Sequence, residues 1–148
     1  MWKTTRMSNW GGYTHRVRYN EVDPQSIVFN SRYLEFFDAA NIEFFREYGY
    51  PLDAMAAAGL EPVVVEANIR YHASAQVDQL LHIDVSCPRL GNTSFDLSFE
   101  ARIQDPETGS LSERVITSAT ISYVNVDQVT RTSTPIPQEF RSFLGSAK

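Results

Sequence analysis

A single cysteine, Cys87, excludes any intramolecular disulfide in this 148-residue chain. Cys87 alternates onto the inward side of a predicted strand, where a free thiol behaves as a small buried hydrophobe. No cysteine–histidine cluster with metal-ligand spacing occurs, because the three histidines, His15, His72 and His82, fall on three separate predicted strands. Each is expected at the surface or at an interface. No apolar run approaches the ~18 residues of a membrane span. Residues 1–12 lack the apolar centre of a secretory signal. A cytoplasmic protein without membrane contact is therefore expected. Positive charge is also scarce: 13 Lys and Arg stand against 18 Asp and Glu, for a net charge of −5. That balance argues against a nucleic-acid surface. It still allows a few arginines to hold an anionic ligand.

What is present is a chain of ordinary globular composition, long enough to bury one core. Tyr13, His15, Val17 and Tyr19 alternate with Thr14, Arg16 and Arg18, the period of a strand. Asp23-Pro24-Gln25-Ser26 breaks it. Tyr33, Phe36, Phe37, Ala40, Phe44 and Tyr48 then recur at three- and four-residue steps, which predicts an amphipathic helix. Asn30 or Ser31 can cap its start, and Gly49 fits the residue after its end. Leu34 and Ile42 flank the aromatic stripe, so the helix is expected to be largely surrounded by protein. A second, short helix is expected from Pro51 to Ala58. From Glu61 onward the pattern is all strand. Runs ending in Tyr71, Cys87, Gln104 and Tyr123 are separated by turn-forming residues such as Gly91-Asn92 and Asp105-Pro106. Short turns imply antiparallel neighbours. Residues 138–144 read as a C-terminal helix. The prediction is one α+β domain over residues 1–148, with one antiparallel sheet wrapped around a long helix.

The segment from Tyr19 to Tyr33 carries the chemistry. It sets a carboxylate, Asp23, in a loop just before a helix start. Free backbone N–H groups there, with the helix dipole, favour negative charge. They can stabilise an oxyanion on a carbonyl lodged against them, while the carboxylate attacks or activates water. On these grounds alone Asp23 reads more readily as a turn residue, since Asp-Pro turns are common.

The ordered residues Tyr19, Asp23, Ser26-Ile27-Val28-Phe29-Asn30 and Tyr33 resemble the signature of the 4-hydroxybenzoyl-CoA thioesterase-like family, including YbgC-type acyl-CoA thioesterases. The resemblance continues through residues 63–67, 89–94 and 135–137, and so covers about residues 13–144. It implies a hotdog fold and hydrolysis of acyl-CoA thioesters without metal or organic cofactor. It implies that Asp23 is the catalytic carboxylate, that the backbone N–H of Asn30 forms the oxyanion hole, and that Tyr19 belongs to the same cluster. It further implies a homodimer or homotetramer with sites at the interface. An acyl channel would be lined by Tyr33, Phe36 and Phe37, and Arg89 and Ser94 would lie near the CoA phosphates. Two positions depart from the family pattern. Ser26 stands where glycine is usual, and Asn30 stands where a histidine is usual. The alternatives are an acyl-carrier-protein thioesterase and a non-catalytic acyl-CoA-binding hotdog protein. Hotdog hydratases carry a paired Asp and His on the helix segment that this chain lacks. Glu66 on the polar face of its strand, and Glu43 on the helix, read as solvated or contact residues.

Overall fold

The protein is described by a computed structural model over residues 10–147. Five strands form one antiparallel sheet: β1 (Tyr13–Arg16), β2 (Pro62–Tyr71), β3 (Leu80–Leu90), β4 (Ser94–Gln104) and β5 (Thr117–Asn125). Their order across the sheet is β1-β3-β4-β5-β2, which leaves β2 at an outer edge, paired only with β5. The sheet wraps around α1 (Arg32–Glu47); α2 (Leu52–Ala57) follows it, and α3 (Gln138–Ser146) packs against β3 and the C-terminal half of α1. This is the hotdog arrangement that the resemblance implies.

The aromatic stripe explains why α1 sits inside. Phe37 stacks on Phe99 of β4 with ring centres 5.1 Å apart, and Phe45 meets Phe95 at 6.4 Å. The N-terminal half of α1 therefore lies over the middle of β4, and its C-terminal half lies over the β4 start. Burying a Phe of this kind is worth about 2–3 kcal/mol, so the stripe fixes the helix on the inner sheet face. The outer face of the helix is less covered than expected. Leu34 is 42% exposed, and Glu35, Asp38 and Arg46 are exposed too. A single chain supplies sheet for only one side of α1.

Several local expectations are corrected. The first strand stops at Arg16, and Tyr19–Glu21 form a 3-10 turn. Tyr19 thus leaves the face shared by Tyr13 and His15. Neither Asn30 nor Ser31 caps α1 with its side chain, and Ser31 is itself helical, with φ −72° and ψ −17°. In β2 a bulge between Val64 and Glu66 shifts the register. The alternation read along Val63 to Tyr71 holds only from Glu66 on.

The two sheet edges differ. Beside β1, the Cys87 N–H donates to the Ala147 carbonyl at 2.7 Å, so the chain's own C-terminal segment covers that part of β3. Along β2 the residues are mostly exposed, including Val64 (53%), Val65 (60%) and Tyr71 (51%). No helix among the described residues is long and apolar enough to cross a membrane.

Candidate active site

Residues 22–28 form a tight hairpin. Val22 and Val28 make an antiparallel bridge, and the Asp23 N–H donates to the Ile27 carbonyl at 2.9 Å. The Ser26 N–H closes the turn onto the Asp23 carbonyl at 2.9 Å. Pro24, with its fixed φ, suits the second turn position. Ser26 then takes φ +64°, the left-handed conformation of a bulged three-residue hairpin loop. Glycine is favoured at that position because any Cβ crowds the following carbonyl oxygen. The side chain of Asp23 accepts the Gln25 N–H through Oδ1 at 2.8 Å. Asp23 is half-buried, with its carboxylate held at the hairpin tip.

The returning arm leads into the helix. Ile27 bridges to Gln76, the Val28 N–H donates to Ala75, and the Phe29 N–H donates to the Glu21 carbonyl, the last two at 2.9 Å. Among the described residues, the N–H groups of Asn30 and Ser31 donate to no protein acceptor. These are the orphan donors of a helix start, at the positive end of its dipole. The carbonyl of Asn30 is fixed, because the Tyr71 hydroxyl donates to it at 3.0 Å. Tyr71 lies on the inner side of β2, with its ring edge-on to Tyr33 at 5.8 Å. Its role was not legible in the sequence, where it ends an ordinary alternation.

The other expected site residues separate into groups. Tyr33, Phe36 and Phe37 are buried beneath the helix start. Burial pushes the Tyr33 phenol up from its ordinary pKa, with contacts to Thr117 and Ala75 opposing the rise. Tyr19 is 86% exposed, and its hydroxyl makes no hydrogen bond to Asp23, whose carboxylate accepts from Gln25. Arg89 and Ser94 flank the β3–β4 turn, at the C-terminal end of α1. One chain does not bring them to Asp23. Arg89 is also engaged: Nε and Nη2 donate to the two Asp96 carboxylate oxygens at 2.9 and 2.8 Å, and Nη1 donates to Ser94 Oγ at 3.1 Å. That pairing holds the Asp96 carboxyl below the ordinary carboxylate range.

His15 corrects another expectation. Its ring turns inward, 4.1 Å from Phe36, and its Nε2 lies 2.8 Å from Glu21 Oε1. His15 shares its strand face with Tyr13 and Val17, the one signal in the sequence that points inward. His72 is exposed and bonds Ser118 Oγ at 2.9 Å, while His82 packs beneath Gly12. Glu66 lies exposed on the outer sheet face. No group of three His, Cys, Asp or Glu side chains with metal-holding geometry occurs among the described residues. A cavity of about 520 Å³ opens beside Val77, Leu80, Ile103 and Leu111. Another of about 460 Å³ lies on the outer sheet face beside His72, Glu100, Arg114 and Ser118.

Residues 17–144 match the family model of the Thioesterase-like superfamily. The chain is similar to the acyl-CoA thioester hydrolase YbgC of Escherichia coli O6:H1, with 30% identity over 98 residues, 66% of this chain and 72% of that one. Among solved structures it is similar to a hypothetical protein of Aquifex aeolicus, with TM-score 0.77 and 26% identity, covering 89% of this chain and 97% of the other. It also resembles a gentisyl-coenzyme A thioesterase, with TM-score 0.74 and 26% identity, covering 87% of this chain and 98% of that one.

Proposed function

We propose that this chain, which belongs to the Thioesterase-like superfamily and is a thioester hydrolase, cleaves acyl-CoA thioesters with Asp23 as its catalytic carboxylate. The observation that carries the reading is one hairpin with two ends. Its tip holds the Asp23 carboxylate, and its returning arm delivers the unpartnered N–H groups of Asn30 and Ser31. A thioester carbonyl set against those N–H groups has its developing oxyanion stabilised, a contribution of about 3 kcal/mol per donor. Asp23 then attacks the carbonyl carbon or takes a proton from an attacking water. When water attacks, the intermediate collapses with C–S cleavage directly to the free acid, and the proton taken by Asp23 passes to the CoA thiolate. When Asp23 attacks, collapse leaves a mixed anhydride, which water hydrolyses to the acid, restoring the carboxylate and supplying the proton of the CoA thiol.

The two departures from the family pattern leave this geometry intact. Ser26 adopts the left-handed conformation despite its Cβ. Asn30 contributes a backbone donor, which its side chain does not alter. Substrate support also comes from the relatives, which include an acyl-CoA thioester hydrolase and a gentisyl-coenzyme A thioesterase. The working form is a homodimer, or a tetramer built from two dimers. The open β2 edge and the uncovered side of α1 are what a second copy would protect. Tyr33, Phe36 and Phe37, buried on the sheet side of α1, would form the apolar floor beneath an acyl group bound at the helix start.

The test is a panel of benzoyl-type, short and long aliphatic acyl-CoAs with free-thiol detection, run on the native chain and on Asp23→Asn. The native chain should release thiol, and Asp23→Asn should fold but lose most turnover. Binding of CoA esters without hydrolysis by the native chain would favour a non-catalytic binding protein. Faster release from a carrier-protein thioester of the same acyl group would favour the carrier-protein reading.

A further inference from the structure

The mechanism leaves one buried carboxylate without a task. Glu21 ends the 3-10 turn and is only 8% exposed. Its Oε1 accepts the Arg18 N–H at 2.7 Å and meets His15 Nε2 at 2.8 Å. Oε1 already accepts from Arg18, and with the same oxygen accepting from His15 the ring's Nε2–H is the donor of the pair. His15 is itself held from two directions. Its backbone is paired opposite Leu81 in the sheet, and its ring lies against Phe36 at an angle of 31°. The main chain of Glu21 does a second job. Its carbonyl accepts the Phe29 N–H, the rung next to the Val22–Val28 bridge. One residue therefore joins β1, the 3-10 turn and the base of the hairpin whose tip is Asp23.

The hairpin is also anchored through the Ile27–Gln76 bridge and the Val28–Ala75 bond on its returning arm, and Arg32 Nη2 of α1 donates to the Asn20 carbonyl beside Glu21 at 3.2 Å. The outgoing arm, which bears Asp23, has the His15–Glu21 contact as its side-chain tie to the sheet. Among the described residues, the Asp23 carboxylate bonds only within its own turn, to Gln25. Its position relative to the Asn30 N–H therefore depends on where the Glu21 anchor holds the arm. Tyr13, Arg18, Arg32 and Glu43 are among the other charged or titratable groups around this corner.

We propose that His15 and Glu21 form a positioning pair that sets Asp23 against the oxyanion donors of the helix start. They act through the hairpin and touch no reacting atom. The proposal rests on the reading of Asp23 as the catalytic carboxylate. Small displacements of a catalytic group are costly in rate, on the order of a hundredfold for 1 Å.

The experiment compares His15→Leu, which removes the donor, with His15→Gln, which restores one at similar reach, and with Asp23→Asn. The measurements are kcat and KM on an acyl-CoA that the native chain turns over, and hydrogen exchange at the Asp23 amide. His15→Leu should lose roughly ten- to a hundredfold in kcat with KM changed less than about twofold. Its Asp23 amide should exchange faster, and His15→Gln should recover most of both. If His15→Leu does not fold, Glu21→Gln carries the same comparison, since it keeps an acceptor for Arg18 and weakens the bond to His15. Full kcat in the folded pair variants beside an inactive Asp23→Asn overturns this proposal alone. So does finding His15→Gln as impaired as His15→Leu. Normal turnover in Asp23→Asn overturns the Asp23 reading, and this proposal with it.

Discussion

Ser26→Gly should stabilise the protein, by an amount that follows from one dihedral angle. Ser26 holds φ +64° at an exposed turn, and its hydroxyl makes no hydrogen bond among the described residues. The left-handed conformation costs an L-residue about 1–2 kcal/mol. Glycine removes that strain, but its unfolded chain gains back about 0.5–1 kcal/mol of backbone entropy. The net stabilisation is about 0.5–1 kcal/mol. Unfolding entropy near 60 °C is about 2.1 cal/mol/K per residue, which over 148 residues is about 0.31 kcal/mol/K. Tm should therefore rise by about 2–3 °C. The assay is thermal unfolding of the native chain, Ser26→Gly and Ser26→Ala at one protein concentration, because assembly makes Tm concentration-dependent. Alanine keeps its Cβ and the strain, so its Tm should stay within about 1 °C of the native value. If Ser26→Gly proves no more stable than Ser26→Ala, the strain argument is refuted. Turnover should survive the glycine change, since the hairpin bonds are main-chain.

Other outcomes follow from the same geometry. Val64→Lys on the open β2 edge should shift the oligomer toward monomer in sedimentation analysis and reduce turnover with it; an unchanged oligomer would place the interface elsewhere. Tyr71→Phe removes only the hydroxyl that fixes the Asn30 carbonyl, an exposed bond worth about 0.5–1.5 kcal/mol. Its kcat should fall several-fold with little change in Tm, and equal kcat would show that the Asn30 turn needs no such tether. Phe37→Ala, at a fully buried position stacked on Phe99, should cost about 3–5 kcal/mol in denaturant unfolding. The Asp96 carboxyl is depressed by Arg89. Its stabilisation is therefore complete above the ordinary carboxylate pKa and is lost as pH falls through the lower folded value. Asp96→Asn should flatten that acid limb in pH-dependent urea unfolding, and an unchanged limb would remove the pair from the acid response.

Periodicity alone was enough to find the long helix and the strands of this protein, though not the end of β1 at Arg16. The aromatic stripe from Tyr33 to Tyr48 and the four alternating runs after Glu61 are local patterns, and local patterns are what backbone geometry reads first. The position of Asp23 before a helix start, and the turn character of residues 23–26, were legible for the same reason. What lay beyond the sequence is everything that depends on contacts far apart in the chain. The strand order places β2 at an open edge, which no run of residues announces. The bulge after Val64 shifts a register that alternation alone reads as continuous. His15 looked like a surface residue until Glu21 and Phe36 closed over it, and Tyr71 reaches Asn30 across 41 positions. Arg89 could only be seen as engaged once β4 brought Asp96 beside it. A period reports which side of an element is apolar. Only the packed sheet and helix decide which polar groups meet there, because that depends on distances in space and not along the chain.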